Sequence, residues 1–188
     1  MVNRNREYSR RGLLGAFAAT SIMAAPTFPS AAGFIRNAGD IRRIKMYSTR
    51  TGEKLDIIYW IEGFYIKDAL SEVNYFMRDW RQNKEKPIDT RTVDIIAASM
   101  RLLETETPFQ MLSGYRTSST NKLLRSRSRN VAKKSLHMLG QAVDLRMQGR
   151  SVRQIARAAA SCSAGGVGRY SRSNFVHVDC GIKRIWGS

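Results

Sequence analysis

The chain has two histidines in 188 residues. Each is followed by an acid: His137 by Asp144 in "SLHMLGQAVDLRM", and His177 by Asp179 in "NFVHVDC". Imidazole and carboxylate are the ligands of catalytic zinc, which takes three protein ligands and leaves a fourth position for water. Two sets are available. His137, Asp144 and His177 form one; both aspartates with a single histidine form the other. The second puts more negative charge on the metal, which weakens it as a Lewis acid and raises the pKa of its water. The first set is therefore preferred, and Asp179 is left as a candidate general base. A lone histidine and an HxD pair both arise by chance, so the elements around them must bring them together.

Alternation along a strand groups residues i and i+2 on one face. In "FVHVDC" that joins Phe175, His177 and Asp179, with Val176, Val178 and Cys180 opposite. In "QAVDLRM" it joins Ala142, Asp144 and Arg146, with Val143, Leu145 and Met147 opposite. If the two strands are neighbours and their apolar faces meet helices, Asp144, His177 and Asp179 point the same way. His137 lies just upstream, in a loop near Gly140.

The rest of the chain supplies such elements. "IRRIKMYSTRTGEKLDIIYWIEG" reads as a hairpin around Thr51-Gly52-Glu53. "KDALSEVNYFMRDWRQN" carries Leu70, Val73, Phe76, Met77 and Trp80 at a helical period. "TRTVDIIAASMRLLETE" and "SVRQIARAAASC" read as further amphipathic helices, the latter with Val152, Ile155, Ala159 and Cys162 inward. "FQMLSG" reads as a strand, "TNKLLRSRSRNVAKK" as a basic helix running into a loop, and "GGVGRY" as a tight strand entry. The class is α+β: a small antiparallel sheet flanked by helices, with the zinc site on one face.

Hydrophobic residues make up 43% and charged residues 25%, which excludes disorder as the main state. The 32 Lys+Arg against 15 Asp+Glu give a net charge of +17, a field that attracts polyanions of any kind. Residues 1–32 read as an export leader: Arg4, Arg6, Arg10 and Arg11, then a short apolar run from Gly12 to Ala25, then small residues at Ser30-Ala31-Ala32. "SRRGLL" resembles the twin-arginine export signal. Cleavage there leaves a single domain, residues 33–188, with 28 basic and 14 acidic residues and a net charge of +14. In the periplasm, peptidoglycan is the abundant acidic polymer and nucleic acid is not an expected partner; no stable membrane span remains. Cys162 and Cys180 fit no zinc knuckle, and a disulfide and two buried thiols are equally open.

"SGYRTSSTNKLLRSRSRNVAKKSLHMLGQAVDLRM" with "GGVGRYSRSNFVHVDCG" resembles the bacterial murein endopeptidases of the D-Ala-D-Ala metallopeptidase superfamily. The resemblance runs from about Ile41 to "RIWGS" and rests on SxHxxGxAxD (Ser135 to Asp144) and HxD (His177 to Asp179). It implies a small sheet flanked by helices, a zinc ion on His137, Asp144 and His177, and peptidoglycan peptide cross-links as substrate. It also implies that Arg116, in "SGYR", binds a substrate carboxylate or the tetrahedral oxyanion. Several relatives carry a glutamate base three residues before the last ligand; here that position is Asn174, which takes no proton, so Asp179 is the nearest substitute. Ser135 is a candidate to cap or hydrogen-bond near the site or to serve a turn, and Tyr115 and Tyr170 to line the groove or only to pack. The expected function is a periplasmic zinc-dependent murein endopeptidase. A D,D-carboxypeptidase on the same metal site, a non-catalytic wall-binding module and a basic nucleic-acid-binding protein are the alternatives. The last lacks any helix-turn-helix, zinc-finger or RNA-binding motif. Oligomeric state leaves no mark in the sequence.

Overall fold

The structure is a computed structural model that describes residues 23–24 and 40–187. The expected leader lies outside the described residues except for Met23–Ala24, a two-residue strand, β1. The hairpin forms as read: β2 (Ile41–Ser48) and β3 (Lys54–Ile61) pair antiparallel, with Gly52 at φ +74 in the turn. β4 (Phe64–Tyr65) follows and pairs with β3 and β1. Helices α1 (Lys67–Phe76) and α2 (Thr90–Leu102) precede β5 (Phe109–Ser113). Helix α3 (Ser118–Arg127) leads through a basic loop to a one-turn 3-10 segment, Leu136–Leu139. Then come β6 (Ala142–Arg146), α4 (Val152–Ser161), β7 (Gly166–Tyr170), β8 (Phe175–Asp179) and β9 (Arg184–Gly187).

Among the described residues these strands make one sheet, ordered β1-β4-β3-β2-β5-β6-β8-β7-β9. Most neighbours are antiparallel; β2 with β5 and β7 with β9 run parallel. The fold is α+β, with the helices packed on the sheet as the alternation demands. Val143, Leu145, Val176 and Val178 are all 2% exposed or less. They join the inward residues of α2 and α4 in one apolar core. Burying each such side chain contributes roughly 1.5–3 kcal/mol. Helix α4 is closed at its start by a capping box between Ser151 and Gln154, and Val152, Ile155, Ala159 and Cys162 face inward as the period requires.

Helix α1 ends earlier than its apolar period. Trp80 sits in a turn bridged between Asp79 and Lys84, not on the helix. The Met77 carbonyl accepts from Tyr115 N–H at 2.8 Å, and the buried Asp79 carboxylate accepts from Thr117 N–H and Oγ1–H. The first of these long-range bonds takes a backbone carbonyl that a further helical turn needs, and the second anchors the turn that replaces it. Cys162 and Cys180 are both buried free thiols. No helix among the described residues is long and apolar enough to cross a membrane.

Candidate metal centre

The uncovered face of the sheet carries two rows of residues. Ser113, Asp144, His177, Gly168 and Trp186 stand opposite one another across β5, β6, β8, β7 and β9. The adjacent row is Ala142, Asp179, Gly166 and Arg184. Strand pairing thus makes Asp144 and His177 direct partners, while Asp179 stands one pleat away from His177.

His137 reaches the first row from the 3-10 turn. Its backbone carbonyl accepts from Arg116 N–H at 3.1 Å. Gly140 closes the turn at φ +71, so close to the Pro87 carbonyl that no Cβ fits there. A left-handed position with no space beside it calls for glycine twice over. Gly114 is pressed in the same way against Met77. That approach brings its carbonyl oxygen to 2.7 Å from His137 Nδ1.

His137 Nε2, His177 Nδ1 and Asp144 Oδ1 then converge. The separations are 3.2 Å between the two nitrogens, 3.2 Å from His137 to Asp144, and 2.9 Å from His177 to Asp144. A tetrahedral set at zinc's ligand distances has edges of about 3.3 Å. Each ring spends its other nitrogen on an acceptor: His137 Nδ1–H on the Gly114 carbonyl, His177 Nε2–H on Asp179 Oδ2 at 3.0 Å. These outer bonds fix the tautomers so that both free lone pairs face the same point as a carboxylate oxygen. The donor set, its burial and its spacing all fit a zinc ion.

The electrostatics agree. Burial opposes the charged form of Asp144, but His137 and His177 outweigh it and hold its carboxyl well below the usual range. Burial pushes the His137 imidazole down, toward the neutral form a metal needs. Burial also acts against a charged His177, yet Asp144 and Asp179 outweigh it and raise it to about 9. The cluster favours positive charge at its centre.

Asp179 lies behind His177, on the ring nitrogen away from the cluster. Its Oδ2 accepts from His177 and, at 2.7 Å, from Arg184; its Oδ1 accepts from the Gly166, Gly181 and Arg184 N–H groups. Despite burial, the His177 and Arg184 bonds hold its carboxyl at about 2. Arg116 donates from Nε to Ser113 Oγ at 2.7 Å and from Nη2 to Asp144 Oδ2. Asn174 stands at φ +53 in the turn between β7 and β8, where Asn is favoured for its backbone. Tyr170 lines the cleft, whereas Tyr115 packs against the core; Ser135 also lines the cleft and makes no cap bond.

The cleft over the cluster has a volume of about 400 Å³. The buried Arg116 and the exposed Lys134 both line it, with Tyr170, Phe175, Arg184 and Trp186 around it. Asp144 is the only carboxylate among the described residues that line it. Arg184 and Trp186 come from "RIWG", a strand the sequence reading did not find. The signal lay in "GGVG". Gly166 and Gly168 share one strand face, and a Cβ at either would strike the Arg184 or Trp186 side chain crossing over β7.

A sequence model of the family described as peptidoglycan L,D-endopeptidase MepK matches residues 36–186. The peptidoglycan L,D-endopeptidase MepK of Escherichia coli K12 is 45% identical over 145 residues, covering 77% of this chain and 80% of that protein. A probable peptidoglycan L,D-endopeptidase MepK of Haemophilus influenzae is 34% identical over 148 residues, covering 77% and 78%. Among solved structures, the L-Ala D-Glu endopeptidase ChiX of Serratia marcescens matches 50% of this chain and 68% of its own, at 20% identity and a TM-score of 0.35. The extent and identity of the sequence matches are decisive: the chain belongs to the peptidoglycan L,D-endopeptidase MepK family, within the D-Ala-D-Ala metallopeptidase superfamily.

Proposed function

We propose that the protein is a zinc-dependent murein endopeptidase of the periplasm that cuts peptide cross-links in peptidoglycan. The observation that carries this reading is the convergence of His137 Nε2, Asp144 Oδ1 and His177 Nδ1, with each histidine's other nitrogen already satisfied. Those three atoms would hold the zinc, which when bound supplies a Lewis acid that polarises the scissile carbonyl and acidifies water. The names of the relatives support an L,D bond. Of the two cross-link bonds, that favours diaminopimelate to diaminopimelate, which joins an L to a D centre, over D-alanine to diaminopimelate.

The chain's own residues do the rest. Arg116, always charged and planar, orients Asp144 with one arm and stands at the cleft to receive a carboxylate or developing oxyanion. Asp179 is assigned a positioning role: it holds His177 Nε2–H and so aims Nδ1 at the cluster. Its oxygens are fully occupied and its carboxyl is strongly acidic, both unfavourable for the base role read from the sequence. Residues 1–32 are proposed as a cleavable twin-arginine leader; exchange of Arg10 and Arg11 for Lys should then leave the protein in the cytoplasm.

The direct test incubates the purified protein with cross-linked muropeptide dimers, with and without chelator, and identifies products by mass. Monomers from the L,D-linked dimer, absent under chelator and restored by zinc, are the expected result. Release of terminal D-alanine with the cross-link intact would instead support the carboxypeptidase reading.

A further inference from the structure

The C-terminal strand β9 is at the edge of the sheet, yet it is not a passive edge. Ile185 on the strand and Ile182 just before it are 68% and 86% exposed, so this end of the chain buries little of its aliphatic surface. Trp186 and Arg184 turn the other way, over β7, and Trp186 is half-buried. It stands in the same row as Asp144 and His177, separated from His177 only by Gly168.

That glycine is what seats it. A Cβ on Gly168 would come within 2.5 Å of Trp186 Cε2 and Cζ2, so the indole occupies the space above the bare backbone. The ring centroid lies 5.5 Å from that of His177. Nε1–H donates to Tyr170 Oη at 3.0 Å, and Tyr170 is stacked on Phe175 at 4.5 Å. The result is a fixed aromatic wall beside the metal cluster. Two cations stand beside it: the Arg184 guanidinium, paired with Asp179, lies 4.7 Å from the indole centroid, and the exposed Lys134 lines the cleft. An aromatic wall flanked by cations suits a ligand with an aliphatic middle and a carboxylate end.

Resting on the murein reading above, we propose that Trp186 is a substrate-contacting residue: the platform on which the methylene chain of the diamino acid beside the cut bond lies. Gly168 on β7 leaves the space that the platform occupies. The role deepens the site's chemistry from a metal centre to one that grips a specific side chain.

The test measures equilibrium binding of a monomeric muropeptide with a tetrapeptide stem to the zinc-loaded protein by calorimetry. Trp186→Ala removes the platform; Gly168→Ala keeps the indole but displaces it from its seat. Both should weaken binding roughly tenfold or more, with zinc content unchanged, while Trp186→Phe should retain most of the affinity. An unchanged Kd in Trp186→Ala, or no measurable binding by the wild type, would overturn the proposal. Turnover of cross-linked dimers is followed in parallel. A wild type that binds the monomer but does not cut dimers counts against the hydrolase reading, and the Kd comparison still decides the role of Trp186.

Discussion

His177 and Asp179 stand on one face of β8, and the Asp179 Oδ2 accepts the His177 Nε2–H at 3.0 Å while His177 Nδ1 lies 2.9 Å from Asp144 Oδ1. The imidazole is thus held between two carboxylates, one for each nitrogen. Only one of them, Asp144, belongs to the cluster that faces the cleft.

That relationship separates two roles for Asp179. If it orients His177, Asp179→Asn should weaken zinc affinity by about 10- to 100-fold, and turnover should recover in excess zinc. A lost general base would instead leave zinc fully bound while turnover falls by about 10²–10⁴. Zinc content and dimer cleavage on one preparation distinguish the outcomes, and the first is expected.

Arg116 serves Ser113 and Asp144 with two arms of one guanidinium. Lysine is a point charge and does not reproduce that fork. Arg116→Lys should therefore lower kcat by about 10²–10³, the usual loss for a missing oxyanion donor. Wild-type kcat would remove Arg116 from the catalytic machinery.

Far from the cleft, Asp94 accepts from Arg42, Tyr59 and Tyr65 in a buried network. Asp94→Ala leaves the 7%-exposed Arg42 without its partner and should cost about 3–5 kcal/mol in urea unfolding. Cleavage per folded molecule should not change, since none of these residues lines the cleft.

Asp89 caps α2 by accepting from Arg91 N–H, pairs with the Arg91 side chain, and receives a bond from Gln141. Against burial, Arg91 holds its carboxyl below the ordinary value. A carboxyl lowered in the folded state contributes stability that is complete above the unfolded pKa of about 4 and is lost as pH falls through the folded one. Asp89→Asn should cost about 1 kcal/mol at neutral pH and almost nothing near pH 2, as read from urea midpoints across the acid range. An equal cost at both pH values would contradict the ion-pair account.

The sequence carried the centre of the site because the relevant signals were local. Alternation put Asp144 and His177 on polar faces, and their scarcity drew the two histidines together. The wall of the site came from a non-local event, the parallel pairing of β9 with β7, which leaves no period in a four-residue strand. "GGVG" was legible as glycine-rich but not as clearance, because the crossing side chains lie some twenty residues further on. Trp80 fits a helical period and still leaves the helix, since Tyr115 and Thr117 claim the groups around Met77 and Asp79. Asn174, weighed as a lost base, stands at φ +53 in the β7–β8 turn, a backbone angle that Asn tolerates and that no side-chain periodicity signals.

The measurement closest to the central claim is zinc stoichiometry beside cross-link cleavage in the wild type, His137→Ala and His177→Ala. One zinc per wild-type chain, near-complete loss of zinc and cleavage in both variants, and folded variants by circular dichroism are the results this account expects. Wild-type zinc content in either histidine variant, or cleavage that survives removal of the metal, would contradict it.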